Sequence, residues 1–189
     1  MAKIVPVGVS NRHIHLSQEH INTLFGEGFS LTIFKDLSQP GQYACNEKVD
    51  LVGPKGTIKG VRVLGPARPV SQVEISLFDG FTMGVKPPVR NSGDTANSVG
   101  CKIVGPCGEV EITEGVIAAA RHIHMHTSDA ENFNLKDKDV VSVKVAGDRG
   151  GVFDQVLVRV HNDFALEFHI DLDEANAFAL GNGATVEIL

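Results

Sequence analysis

The tetrapeptide Arg-His-Ile-His occurs twice, at residues 12–15 and 121–124. Each copy follows an apolar run and precedes a helix-start signal. One histidine pair spaced by a single residue is uncommon, and a second copy in the same setting marks an internal duplication. A chain of 189 residues can build one large core or two small ones. The duplication selects two related small β-domains. Short runs rich in Val and Ile continue throughout, among them KIVPVGV, SLTIF, KVDLVG, TIKGVRVLG, CKIVG, EVEIT, DVVSVKV, FDQVLVRV and ATVEIL. Gly and Pro punctuate them, which predicts small barrels or a sandwich. The turns repeat as well: LVGPKGTI at 51–58 and IVGPCGEV at 103–110 are both Gly-Pro-x-Gly hairpins. Helices are few. Ser17 is placed to cap QEHINTLF, with Leu16 and Ile21 as a hydrophobic staple and Gly26 as the stop. Ser128 and Glu131 have capping-box spacing for a second helix, and Asp173 could open a third before Gly181.

On a strand, residues two apart share a face, about 6.6 Å apart along the chain. His13 with His15, and His122 with His124, can therefore turn both rings toward one ion. A solvated strand face would explain one such pair; two pairs in equivalent settings favour metal. Each pair needs a third ligand. Glu74 in SQVEIS and His169 in LEFHI stand on alternating strands, but spacing alone does not separate them from Glu109, Glu111, Glu167, His126 or His161. His20 falls within the first helix and reads as a surface residue. Cys45, Cys101 and Cys107 lack CxxC spacing; an odd cysteine count fits a reducing cytoplasm, and Cys101 and Cys107 read as packing residues beside a hairpin.

Arg68 in GPARPVSQVE and Arg90 in PPVRNSG lie among Gly and Pro, where a loop presents a guanidinium suited to a tetrahedral phosphate. The plain alternative for either is a solvated arginine. Lys35, Lys55 and Arg62 could serve a second, longer anionic ligand. The net charge of −6 argues against nucleic acid but not against a local pocket for a phosphorylated small molecule. No apolar run approaches a membrane span, and no signal-peptide pattern is present. Walker and GxGxxG loops are missing, as is a local signature for a Ser-His-Asp or Cys-His nucleophile.

GVSNRHIHLS, QPGQYA, LVGPKG, LGPARPVSQVEIS, GVIAAARHIHM and EFHIDLDEANA resemble the PduL-type phosphate acyltransferases, the phosphotransacylases of bacterial microcompartments, nearly from end to end. The resemblance implies a mainly β fold of two small barrels with short capping helices and exchanged segments. The first barrel would take residues 1–11 plus 120–189 and the second 12–119, with the active site at their interface. It also implies a dinuclear centre, most simply zinc. One ion would be held by His13, His15 and Glu74, and the other by His122, His124 and His169. Arg68 would bind phosphate; Arg90, read from its own loop and not from the resemblance, is a second phosphate candidate. CoA would bind around Ser10, Lys35, Arg62, Leu64, His169 and Asn176. His126 matches nothing in the family pattern. Members bound for microcompartments carry an N-terminal amphipathic extension. This chain begins at the first strand, so a cytoplasmic location is expected, with a microcompartment lumen as the alternative. Neither nucleic acid nor membrane is an expected partner; a homo-oligomer and microcompartment enzymes are compatible with the resemblance.

The implied reaction converts a short-chain acyl-CoA (propionyl-CoA or acetyl-CoA) and phosphate into acyl phosphate and CoA. Three protein ligands per ion leave positions open for catalysis, and an ion can polarise the carbonyl and stabilise the departing thiolate. Phosphate is already anionic, so positioning by Arg68 outweighs any need for a general base. Direct phosphorolysis is expected because no protein nucleophile stands out. Two other classes fit the same residues: a metal-dependent thioester or acyl-phosphate hydrolase, and a structural metal-binding β-module.

Overall fold

The computed structural model describes residues 2–189. In chain order the elements are β1 (Lys3–Ser10), β2 (His13–His15), α1 (Gln18–Phe25), β3 (Ile33–Asp36), β4 (Tyr43–Val52), β5 (Thr57–Gly65) and β6 (Gln72–Glu74). There follow α2 (Leu77–Met83), β7 (Val89–Arg90), β8 (Val99–Val104), β9 (Glu109–Ala119), β10 (His122–Met125) and α3 (Thr127–Phe133). The chain finishes with β11 (Val140–Val145), β12 (Gly151–Val160), β13 (Glu167–Asp171), α4 (Leu172–Ala177) and β14 (Thr185–Ile188). The fold is mainly β, with four short helices among the described residues. None of these helices is long and apolar enough to cross a membrane.

The strands belong to two compact units, one of residues 1–11 with 120–189 and one of residues 12–119. In the first, β1-β13-β10-β12-β11-β14 closes into a barrel. In the second, β4-β5-β2-β6-β9-β8 also closes on itself, because β8 pairs with both β9 and β4; β3 and β7 attach at its sides. The two circuits follow one plan. The His-Ile-His strand runs parallel to one neighbour (β5 or β12) and antiparallel to the other (β6 or β13). The outer neighbour of β6 is parallel β9, and that of β13 is parallel β1. Since β1 precedes β2, and β9 precedes β10, each repeat lends its first strand to the other repeat's barrel.

Alternation sends one face of every strand inward. Ile14, Val63, Leu51, Val73 and Ile103 fill one core; Ile123, Met125, Val158, Phe168 and Ile170 fill the other. Burying each such side chain contributes about 1.5–3 kcal/mol. Because the isoleucine of each His-Ile-His enters a core, both histidines must share the opposite face.

The Gly-Pro-x-Gly turns have a physical reason. The Lys55 amide donates to the carbonyl of Met83 at the end of α2, and the Cys107 amide donates to that of Leu24 at the end of α1. Helix C-termini leave unsatisfied carbonyls, and these turns supply the donors. A Cβ at Gly53 would lie 2.3 Å from Met83 O, and one at Gly105 would lie 2.5 Å from Leu24 O. Only glycine permits that approach.

Ser17 caps α1 and Gly26 ends it, as the sequence predicts. Elsewhere the caps differ. α3 is capped by His126 rather than Ser128, and α4 by Asp171 rather than Asp173. Asp171 forms the capping box with Glu174 that a two-residue shift conceals. Helix α2 is absent from the sequence reading, although Ser76 and Asp79 form a full capping box for it. Its seven residues include Gly80, and its apolar Leu77, Phe78 and Phe81 are exposed. Cys101 is buried as expected, but Cys107 is exposed, since the turn needs its amide and not its side chain.

Candidate metal and anion site

Strand register does what spacing along the chain cannot. In β2 and β6, His13 lies directly across from Glu74 and His15 across from Gln72. In β10 and β13, His122 lies across from His169 and His124 across from Glu167. The outcome is two groups, His13–His15–Glu74 and His122–His124–His169, in each of which the donor atoms lie within 4.8 Å of one another. In the first, His13 Nε2 is 3.5 Å from Glu74 Oε2. In the second, the His169 ring centroid is 5.1 Å from that of His122 and 4.7 Å from that of His124.

The donor sets suit a transition metal. Three imidazoles, or two imidazoles and a carboxylate, are ordinary zinc ligands that leave a position open. One further observation supports the fit. Among the described residues, His15 Nδ1 is a buried side-chain nitrogen without a hydrogen-bond partner. An orphaned buried nitrogen costs about 1–3 kcal/mol, a cost that coordination of an ion removes.

The surroundings hold the donor side chains in order. Ser92 Oγ and Gln72 Nε2 donate to Glu74 Oε1 at 2.7 and 2.6 Å, which leaves Oε2 to face His13. Ala120 O lies 2.8 Å from His122 Nδ1, which leaves Nε2 as the outward donor. The arginine of each repeat also has a partner, one that spacing along the chain does not reveal. Arg12 forks onto Asp79, Nε to Oδ2 at 3.0 Å and Nη2 to Oδ1 at 2.9 Å. Arg121 Nη1 reaches Glu174 Oε1 at 2.8 Å. Asp79 and Glu174 are the capping-box acids of the helices that follow the third-ligand strands. Each arginine therefore ties its histidine strand to the element carrying the third ligand. Burial, with the nearby Asp171 charge, raises the Glu174 carboxyl; the Arg121 pair opposes this.

Other candidates have different places. His126 accepts from the Ser128 amide as the cap of α3. His161 is exposed beside Asp163, and Glu109 pairs with Lys102 at 2.8 Å. Glu111 is exposed on β9. His20 is not a free surface residue: its Nδ1 lies 2.7 Å from Ser71 Oγ. Arg68 is half-buried in the loop between β5 and β6, its amide donating to Leu16 O at 2.9 Å, and its charge acts on His15. Arg90 lies 3.7 Å from Asp94. Arg62 donates to Cys45 O at 2.5 Å and lies over the Phe34 ring. Lys35, Lys55, Arg62 and Leu64 belong to the second unit, and Ser10 and Asn176 to the first.

Burial, reinforced by the charges of His13 and Arg68, lowers His15 to about 3. Burial alone would raise Glu74, but His13, Ser92 and His15 together hold it well below the carboxylate range. Both groups predict acid sensitivity of the metal-free protein. Its unfolded chain protonates His15 near the ordinary value of 6.5, whereas the folded chain resists until about 3. Stability is therefore full above that ordinary value and falls as pH drops through the interval; Glu74 adds to the loss below 4.5. Denaturant titrations of chelator-treated protein at about pH 7 and about pH 4 should differ by on the order of 3 kcal/mol. A flat profile would place His15 in contact with water.

Comparison with known proteins gives one family. The family model described as phosphate propanoyltransferase matches residues 6–181. A phosphate propanoyltransferase of Thermotoga maritima is 59% identical over 184 residues, covering 97% of this chain and 88% of that protein. One of Clostridioides difficile is 52% identical, over 98% and 88%. One of Rhodobacter capsulatus is 54% identical, over 98% and 86%. All three are named for transfer to phosphate, and the hydrolase alternative finds no support among them.

Proposed function

Because the chain belongs to the phosphate propanoyltransferase family, we propose that it transfers a propionyl or acetyl group between CoA and phosphate by direct phosphorolysis, assisted by a divalent transition-metal ion in each donor group. The observation that carries the reading is that each unit holds a three-donor group, with a half-buried arginine acting on His15 of one of them.

His13, His15 and Glu74 would hold one ion, and His122, His124 and His169 the other, with zinc the best match to the donors. When bound, such ions supply a Lewis acid for the thioester carbonyl and lower the pKa of the leaving thiol. Arg68 binds phosphate through paired N–H groups and orients one oxygen toward the carbonyl carbon. Arg90 contributes a second, weaker grip. That oxygen forms the new C–O bond and the C–S bond breaks. The electron pair leaves with sulfur, and the proton of hydrogen phosphate ends on it as CoA thiol. Lys35 and Arg62 supply positive charge for the phosphates of CoA, with Leu64 of the same unit beside them.

Two measurements test this together. Protein purified without an affinity tag should carry about two ions per chain. It should release thiol from propionyl-CoA only when phosphate is present, with hydroxylamine trapping the acyl phosphate. Thiol release without phosphate, or a ping-pong exchange pattern, would overturn direct phosphorolysis. One ion or none in a well-occupied preparation would overturn the paired metal reading.

A further inference from the structure

Given the phosphate reading of Arg68 on which this rests, we infer that Ser71 is a positioning residue for Arg68, clamping the loop that presents the guanidinium, and that His20 holds Ser71 in place. Residues 66–71 join β5 to β6 and carry Arg68. A loop can hold a guanidinium ready for a substrate only if its own backbone is fixed. One bond does this at Arg68 itself, whose amide donates to Leu16 O at 2.9 Å. Ser71 does it at the end of the loop. Its side chain is buried, and its Oγ accepts from the Ser17 amide at 2.8 Å and lies 2.7 Å from His20 Nδ1. A hydroxyl offers one hydrogen and two lone pairs, so either tautomer of His20 completes the set. Both ends of the clamp therefore grip the stretch from Leu16 to His20, directly after the first histidine pair. Packing of the loop's own apolar side chain does not replace the clamp, since Val70 is 66% exposed.

The other repeat supplies an independent argument. Residues 161–166 join β12 to β13 in a loop of the same length. Leu16 and Met125 follow the two histidine pairs at the same place, and both carbonyls accept from the loop of their own repeat. The donor to Met125 is the first loop residue, His161, at 3.1 Å. In the first repeat that position is Pro66, which has no N–H. The Leu16 carbonyl is thereby left to the Arg68 amide. Position by position, Arg68 corresponds to Asp163 and Ser71 to Leu166. The loop that carries the cation carries the hydroxyl clamp, and the loop with an acid in that place has leucine instead.

Gly115 on β9 is the third observation. Its φ is +124°, and a Cβ there would lie 3.1 Å from Ser71 O. The backbone of Ser71 is thus packed against β9, while its hydroxyl is bonded toward α1.

The test is initial-rate kinetics with phosphate and propionyl-CoA varied in turn, with metal content measured for each variant. Ser71→Ala should lower catalytic efficiency for phosphate roughly 3- to 10-fold. The acyl-CoA dependence at saturating phosphate and the metal content should stay at wild type, a split that a merely structural role would not produce. His20→Ala should shift the phosphate dependence in the same direction. His20→Asn, whose amide group can stand where Nδ1 stands, should recover most of that loss. In an Arg68→Ala background, Ser71→Ala should add nothing. A wild-type phosphate dependence in Ser71→Ala, equal losses for both substrates, or loss of metal would overturn the inference and leave the reading of Arg68 standing. Additive effects of Ser71 and Arg68 would overturn it too. Should Ser71→Ala not fold, the His20 pair decides: a wild-type phosphate dependence in His20→Ala, or no recovery in His20→Asn, would overturn it. An unchanged phosphate dependence in Arg68→Ala would instead remove the reading beneath it.

Discussion

His169→Ala should strip one of the two ions and nearly all activity, while His126→Ala should leave both close to wild type. The sequence offers both histidines with equal force, since His126 continues the alternation of His122 and His124. The strand ends at Met125, and His126 turns to cap α3, where its ring accepts from the Ser128 amide. His169 lies on β13 in direct register with His122. Removing it leaves two imidazoles, which rarely hold an ion alone, and the loss of charge stabilisation in the transition state costs at least about 10²- to 10³-fold in kcat. Losing the His126 cap costs about 1 kcal/mol of stability, visible in a melting curve and not in metal content. Metal analysis and kinetics on the two variants decide the matter. Metal lost only in the His126 variant would reverse the assignment and detach β13 from the site.

The contrast between these histidines shows where reading a sequence reaches its limit. The period of a strand is local, so the shared face of His13 with His15, and of His122 with His124, follows from the chain alone. So do the Gly-Pro-x-Gly hairpins and the Ser17 cap, each written within about ten residues. The third donor is different. Glu74 and His169 come opposite the pairs only through the antiparallel registers of β2 with β6 and β10 with β13. Alternation alone left them level with Glu109, Glu111, Glu167, His126 and His161. The family resemblance distinguished them; periodicity did not.

Arg12 and Arg121 illustrate the same limit. Their place beside the histidines is plain, but a strand's alternation says only that they face away. Their partners, Asp79 and Glu174, cap helices that lie beyond the third-ligand strands. A signal was nevertheless available. Ser76-x-x-Asp79 and Asp171-x-x-Glu174 are both capping boxes placed two residues after a third donor. Aligning the two repeats on those boxes, and not on the histidines alone, would have found α2, moved the start of α4, and shown why arginine begins each tetrapeptide.

Arg68→Ala should reduce catalytic efficiency for phosphate roughly 10- to 150-fold, the kinetic equivalent of losing charge-assisted hydrogen bonds worth about 1.5–3 kcal/mol. The loss belongs to phosphate because of where the side chain stands. The Arg68 amide is tied to Leu16, one residue past the first histidine pair, and its charge acts on His15. A cation held beside the neutral imidazole of a donor group raises the local potential for an anion without occupying the donor position. The acyl-CoA dependence should therefore change little when phosphate is saturating. Arg68→Lys should recover only part of the loss, because an ammonium keeps the charge but not the paired planar donors. Initial rates with each substrate varied in turn separate these effects. An unchanged phosphate dependence in the alanine variant would make Arg68 a surface arginine and leave the anchoring of phosphate to Arg90. Full recovery in the lysine variant would show that charge alone, and not the planar fork, positions the nucleophile.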